Sequence, residues 1–404
     1  MAATVIQPTS AAEVVAAVQD ARSSRTPLRP VGGGTSLNYG LQAATPATDI
    51  SLSRLNGVVD YPARDMTITV QAGITMRQLA ATLAQEGQRL PVDVPQAAQG
   101  TIGGVIATNW NGYRRYGQGP LRDFVIGIEA VDGNGLLFHG GGRVVKNVAG
   151  YDFCKLLCGS LGTLGIITQV TLKVRPVPER YAWLACRVND PAQAESMLAA
   201  LQQSAVAPAA VELLSGDAWS KETALEELKL APESLALLIL LEGTAAEVLW
   251  MKDHLRREWR EAGIVSPLMA DGCDAPWPAV QEFSADLDSP LTIRANVTPS
   301  GVLPFVAACR RRDPGCSILA HAGNGSVFVR FRQVPDRGIG DLLIGDLQPA
   351  AAVHHGHVVI LNAPPGTAIT HRSQWGGDAP LALMSAVKKK FDPLDLLNRG
   401  RFLY

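Results

Sequence analysis

Several protein classes are excluded by what this chain lacks. No run of eighteen apolar residues occurs anywhere in its 404 positions, so no segment reads as a membrane-spanning helix. The first residues carry no basic stretch, and Glu13 interrupts their apolar positions, so no secretory signal is expected. Charge of either sign is not in excess: 36 Lys and Arg face 37 Asp and Glu, a formal net charge of −1. That balance gives no electrostatic reason to expect nucleic acid or an anionic membrane as partner. The six cysteines, Cys154, Cys158, Cys186, Cys273, Cys309 and Cys316, follow no regular spacing. They do not make a disulfide scaffold, and a reduced, cytoplasmic compartment is expected. Charged residues are only 18% of the chain, low for a fully solvated surface, which points to a face covered by a protein partner. No G-x-x-x-x-G-K-[ST] string is present, so P-loop chemistry is excluded. No internal repeat or low-complexity segment stands out.

Glycine, by contrast, is abundant and clustered. One cluster is Pro30-Val31-Gly32-Gly33-Gly34-Thr35-Ser36; a second is Gly100-Thr101-Ile102-Gly103-Gly104, reinforced by Gly159-Ser160-Leu161-Gly162-Thr163-Leu164-Gly165. Without a Cβ the backbone turns freely and its N–H groups approach an anion closely. Successive N–H groups in such turns form a concave nest for phosphate oxygens. Taken alone, Gly32–Gly34 reads equally well as a plain tight loop; two nests together suggest a cofactor with a diphosphate in its middle. The Rossmann device does not fit, because Thr-Ser-Leu-Asn-Tyr-Gly-Leu after the triple glycine continues poorly as a helix.

The texture of the chain suggests an α+β protein of two parts. Apolar residues make up 47% of it, enough for a large core, and the length suits about two to three domains. Ser10 to Glu13 reads as a capping box opening a helix through Arg22, and Thr75 to Gln78 as another, with its helix running to Gly87. Residues 66–71, 125–131 and 166–174 read as strands, with Asp132-Gly133-Asn134-Gly135 as a hairpin turn. Residues 151–158 read as helix, and Arg175-Pro176-Val177-Pro178 closes this region. Beyond it, helical patterns at 189–205 and 244–262 and strands at 235–241, 291–297, 326–331 and 357–361 fit a β-α-β-β-α-β run. The expected domains are 1–178, a cap at 179–385, and a C-terminal segment, 386–404, returning to the first.

These motifs together resemble one family. Residues 28–41 and 100–117 look like the two pyrophosphate loops of the vanillyl-alcohol-oxidase-type (PCMH-type) FAD-binding proteins. The stretch Val145 to Phe153, containing Lys146-Asn147 and Gly150-Tyr151-Asp152, is similar to the K-N-x-x-G-Y-D segment of its 2-hydroxy-acid dehydrogenase branch. Gly162 to Thr168 fits that branch's G-T-L-G-I-I-T signature, and Phe391-Asp392-Pro393 with Leu397-Asn398 resembles its C-terminal return to the flavin domain, with Arg399 in place of the usual proline. The resemblance implies FAD, held by the amides of Gly32, Gly33, Gly34, Thr35 and Ser36 beside Pro30, and across from them by Thr101, Gly103 and Gly104. It places Asn109, Gly112, Tyr116 and Gly117 near the flavin or its ribityl chain, Gly162 in the adjoining turn, and Ile167 at the adenine end. No His or Cys lies in either loop, so noncovalent binding is expected. The cap is expected to be ferredoxin-like.

The family's catalytic motifs are degraded. Where H-x-G-D-G-N-x-H is usual, this chain reads His321-Ala322-Gly323-Asn324-Gly325-Ser326-Val327-Phe328; E-H-G is absent, with Gln374-Trp375-Gly376-Gly377 in that region. His321 therefore reads as a structural remnant, and no catalytic or metal-binding residue is assigned. Intact flavin loops with a broken catalytic set resemble the FAD-binding, E-type subunits of bacterial glycolate oxidases. That likeness implies a catalytic flavin subunit and an iron–sulfur subunit as partners, a small 2-hydroxy acid substrate reached through the complex, and inner-membrane association through partners. A non-catalytic FAD-binding subunit and a stand-alone dehydrogenase for D-lactate or a similar acid are the rival readings. Among other features, His354-His355-Gly356-His357 reads as a strand end before a metal cluster, with His355 and His357 on one face. Cys154 and Cys158 read as buried thiols, Lys388 to Lys390 as cations suited to a helix C-terminus, and Arg294 as solvated or ion-paired before it reads as a carboxylate receptor.

Overall fold

The computed structural model describes residues 5–41, 46–142, 151–264, 267–285, 288–334, 338–376 and 380–402; Lys146, Asn147, Gly150 and Gly377 lie outside these. The chain divides into two compact units. One comprises Met1–Asn111, Pro120–Val177 and Asp378–Tyr404, the other Gly112–Gly119 and Pro178–Gly377.

The first unit holds two sheets. Val5–Ile6, Thr48–Ser51 and Leu28–Val31 form a small parallel sheet with Thr48–Ser51 in the middle. Val58–Asp60, Thr67–Gln71, Ile166–Lys173, Val125–Val131 and Leu137–Gly141 form an antiparallel sheet in that order. Local chemistry sets the turns. Helix Ala11–Ser24 starts where the Ser10 hydroxyl accepts the Glu13 amide; the Glu13 carboxylate reaches one residue past the expected partner, to the Thr9 amide at 2.7 Å. Those bonds hold its pKa below the usual carboxylate range. Thr75 and Gln78 do close a reciprocal box, and helix Met76–Ala84 follows. It stops short of Gly87, which takes φ +64° in the turn beyond. Asp132 ties the hairpin by accepting the amides of Asn134 (2.8 Å) and Leu136 (2.9 Å). The expected helix at 151–158 is one short turn, Phe153–Leu157, capped by Asp152. Ile68, Val70, Leu79, Leu83, Ile102, Ile106 and Leu172 form the main core.

The second unit corrects the expectation of no repeat. Arg180–Val188, helix Pro191–Gln203, Ala210–Ser215, Leu235–Gly243, helix Ala245–Glu261 and Leu268–Asp271 make one β-α-β-β-α-β module. Leu291–Asn296, helix Val302–Arg312, Ser317–His321, Ser326–Phe331, a helical stretch at 338–352 and His357–Asn362 make a second. Both contribute four strands to one antiparallel sheet. Their second strands, Ala210–Ser215 and Ser317–His321, pair at the seam, so the strand order of one module mirrors that of the other. The repeat is invisible in sequence because the pattern needs only alternate apolar residues, not particular ones. Leu237, Ile239, Leu241, Ile293, Val327 and Val329 supply the core face, covered by Val248, Leu255, Phe305 and Cys309 from the helices.

None of the cysteines is in a disulfide, and four of them are fully buried. Burial pushes the Cys154 thiol up to about 11, and Cys158, Cys186 and Cys316 up to about 12. At pH 8 a thiol of pKa near 12 is roughly 0.01% thiolate, the form that reacts. Cys273 differs: it is half-buried and accepts an N–H from Arg114 at 3.3 Å. Alkylation of the native protein with iodoacetamide, read by peptide mass, is expected to label Cys273 first; equal early labelling of Cys186 or Cys316 would contradict the packing described.

Candidate dinucleotide site

The two glycine clusters meet in the first unit. Leu28–Val31 delivers the first loop; Thr101 caps the short helix Ile102–Thr108 by accepting the Gly104 amide at 3.4 Å. The loops can touch only because the first lacks side chains. A Cβ on Gly32 would run into the Thr101 hydroxyl, and one on Gly33 into the carbonyl oxygen of Gln99. The turn through Leu161 and Gly162 closes a third side.

The cleft so formed is open to solvent. Pro30, Gly32, Gly33, Gly34, Thr35, Ser36, Thr101, Gly103, Gly104, Gly162 and Ile167 all line it, as do Val31, Leu37, Leu52, Ala72, Ala107, Thr108, Leu161, Gly165, Asn398 and Arg401. Asn109, Gly112, Tyr116 and Gly117 do not. Asn109 ends the helix in the left-handed conformation, φ 48°, with its carbonyl taken by the Asn111 amide. Residues 112–119 pack within the second unit instead. There the Gly117 amide donates to the Ala209 carbonyl at 3.1 Å, and the Tyr116 ring covers Gly323 so closely that a Cβ there would clash.

The lining suits a dinucleotide. Among the described residues, the amides of Gly32, Gly33, Gly34, Thr35 and Ser36 donate to no group of the chain. A run of amides without acceptors on an open cleft is a ready anion cradle. The Gly103 amide is not available in the same way, since it donates to Ala72 O at 2.8 Å; a Cβ there would stand 2.8 Å from that of Ala72. Gly103 thus provides close packing, while Gly104, whose Cβ would meet only Thr101 Oγ1 at 3.3 Å, provides room. Val31, Leu52, Ala107, Leu161 and Ile167 supply apolar walls for ring systems. Donors, walls and space fit FAD.

Two lining residues come from the far end of the chain, and sequence reasoning assigned neither a site role. Asn398 Nδ2 donates to Leu161 O at 2.7 Å, and Arg401 donates to Ser36 O at 2.9 Å and to Leu37 O. The only sequence signal was the Leu397-Asn398 return motif.

In the second unit, His321 sits at the seam between the two modules. It is 5% exposed, and its Nδ1 lies 2.6 Å from Glu212 Oε2 on the paired strand. The Phe328 ring stands edge-on to it at 5.3 Å. Among the described residues no three His, Cys, Asp or Glu side chains group as a metal site. The 354–357 run does not present two imidazoles on one strand face. His355 takes φ 54° in the turn before the strand, and only His357 belongs to His357–Asn362.

The site is that of a flavoprotein oxidoreductase. Residues 2–141 match the family model described as an FAD binding domain. The chain is 31% identical to the Bacillus subtilis "Glycolate oxidase subunit GlcD", over 98% of this chain and 88% of that one. It is 36% identical to the Escherichia coli "Glycolate oxidase subunit GlcE", over 40% of this chain and 46% of the other. It is 40% identical to a Xanthomonas citri "D-2-hydroxyglutarate dehydrogenase", over 42% of this chain and only 36% of that one. These last two matches span less than half of either relative. In fold it is similar to a solved alkyldihydroxyacetonephosphate synthase, with a TM-score of 0.70 at 17% identity, over 98% of this chain and 76% of the other. The chain belongs to the PCMH-type FAD-binding oxidoreductase family, and its cofactor is FAD. Among the described residues, no helix is long and apolar enough to cross a membrane.

Proposed function

We propose that this chain is the FAD-binding subunit of a complex that oxidises a small 2-hydroxy acid, glycolate foremost, to the 2-oxo acid. Pro30, Gly32 to Ser36, Thr101, Gly103, Gly104, Gly162 and Ile167 hold the cofactor without a covalent link. Bound FAD supplies the two-electron acceptor for such an oxidation. The chain's own part is to bind the dinucleotide, screen it from water and present it to partners: a catalytic flavin subunit and an iron–sulfur subunit that takes the electrons onward. The names of the relatives, two of them glycolate oxidase subunits, support the substrate class.

One observation carries the subunit role. The flavin cradle keeps the acceptorless amides of Gly32 to Ser36, while the cap segment 321–328 lacks the acid and second imidazole of the family motif. Asn324 and the buried ring of Phe328 stand at those positions, and His321 is committed to Glu212. A hydroxy acid needs a base for its hydroxyl proton and a cation or metal for its carboxylate. The decisive experiment offers glycolate and D-lactate to the flavin-loaded chain alone, without oxygen, and follows flavin bleaching. No bleaching is expected until the partner subunits are added. Rapid bleaching of the isolated chain would instead establish a stand-alone dehydrogenase.

A further inference from the structure

We propose that Arg401 is a cofactor-binding residue, supplied by the C-terminal tail, whose guanidinium provides the counter-charge for the dinucleotide's diphosphate and fixes the first glycine loop around it. This goes beyond the glycine cradle, which uses neutral amides alone, and it rests on the reading that the cleft holds FAD.

Three observations support it independently. Among the described residues, Arg401 is the one charged side chain on the cleft wall. Among the described residues it has no carboxylate partner, and the Asp49 carboxylate is engaged by Arg29, through two bonds at 2.6 and 2.9 Å. And it is tied into the loop that carries the acceptorless amides. Its Nη2 donates to the carbonyls of Ser36 and Leu37, while its own carbonyl accepts the Leu41 amide at 3.0 Å. Turning the Ser36 and Leu37 carbonyls toward Arg401 restricts the loop that bears the amides of Gly32 to Ser36.

An arginine held this way is costly without an anion. Burial, with repulsion from Arg29, brings its pKa down to about 10, so the apoprotein carries an under-solvated cation beside an empty anion cradle. A diphosphate relieves that. Guanidinium offers several N–H groups in a fixed fork, and those not spent on the two carbonyls match phosphate oxygens.

The test compares the full-length protein with Arg401→Gln and Arg401→Lys after removal of flavin. Affinities for FAD and for riboflavin, which lacks the phosphates, are read by fluorescence at low and moderate salt. ADP, which has the diphosphate without the flavin, is added as a thermal-shift probe. Arg401→Gln is expected to weaken FAD by roughly 10- to 100-fold, to flatten the salt dependence of binding, to abolish the ADP shift, and to leave riboflavin affinity within about twofold. Arg401→Lys should keep the salt dependence and recover part of the affinity. Equal losses for FAD and riboflavin with an unchanged salt slope would reduce Arg401 to a loop clasp and overturn the proposal, as would unaltered FAD affinity in Arg401→Gln. Failure of the wild-type chain to bind FAD or ADP would instead overturn the reading of the cleft itself.

Discussion

Replacing Gly104 with aspartate is expected to give a folded but colourless protein. Gly104 lies on the cleft wall, and a Cβ there meets only Thr101 Oγ1, at 3.3 Å. A side chain at this position therefore enters the cleft without displacing the core. Two like charges about 4 Å apart repel by about 4 kcal/mol at an effective dielectric near 20. Set against the diphosphate, that is roughly a 10³-fold loss of FAD affinity. Gly104→Ala, with a methyl group and no charge, is the matched control and should keep most of its flavin. Substitution of Gly103 would be a poor test, because a Cβ there presses on Ala72 and disturbs packing whether or not a cofactor binds. The measurement is flavin absorbance per chain after purification, with circular dichroism to show that the fold is kept. Full flavin occupancy in Gly104→Asp would place the diphosphate elsewhere.

What the sequence made legible follows from the range of the interactions involved. Thr75 with Gln78 and the Asp132 turn act over a few residues, so their residue types announce them. The glycine loops were legible because close approach of two backbones tolerates no side chain. The mirrored modules of the second unit were not, since each strand needs only apolar alternation. Nor could sequence tell that residues 112–119 pack with the second unit: Arg114 finds Glu242 across more than a hundred positions. His321 reads as a structural remnant, and its buried partner Glu212 comes from a strand pairing that no local pattern encodes. The basic run reads as cations suited to a helix C-terminus, and Lys388 does lie in the last turn of helix Leu381–Phe391; beyond that it is 5% exposed, and what it serves is the tail.

Loss of the Lys388 ammonium should accordingly be among the most destabilising single changes in the first unit. Nζ donates to Thr163 O at 2.9 Å, Leu397 O at 3.0 Å and Asp392 Oδ2 at 2.7 Å. The Asp392 side chain is itself wholly buried and accepts the amides of Leu396 and Leu397. That knot aims the tail so that Leu396 O accepts the Leu28 amide at 2.8 Å and the Asn398 amide reaches Leu28 O at 2.9 Å, beside the strand that feeds the first glycine loop. Lys388→Met keeps the apolar stem but strands a buried carboxylate, a change that costs about 3–5 kcal/mol. The double variant Lys388→Met with Asp392→Asn removes that charge and should recover part of the loss, because the pair acts as a unit. Urea unfolding of the flavin-free proteins reads these differences directly. Because the tail also carries Asn398 and Arg401 to the cleft, Lys388→Met should release FAD at lower urea than wild type. A Lys388→Met protein within about 1 kcal/mol of wild type would show that the ammonium is dispensable and that the apolar burial of Leu396 and Leu397, worth roughly 1.5–3 kcal/mol each, holds the tail alone.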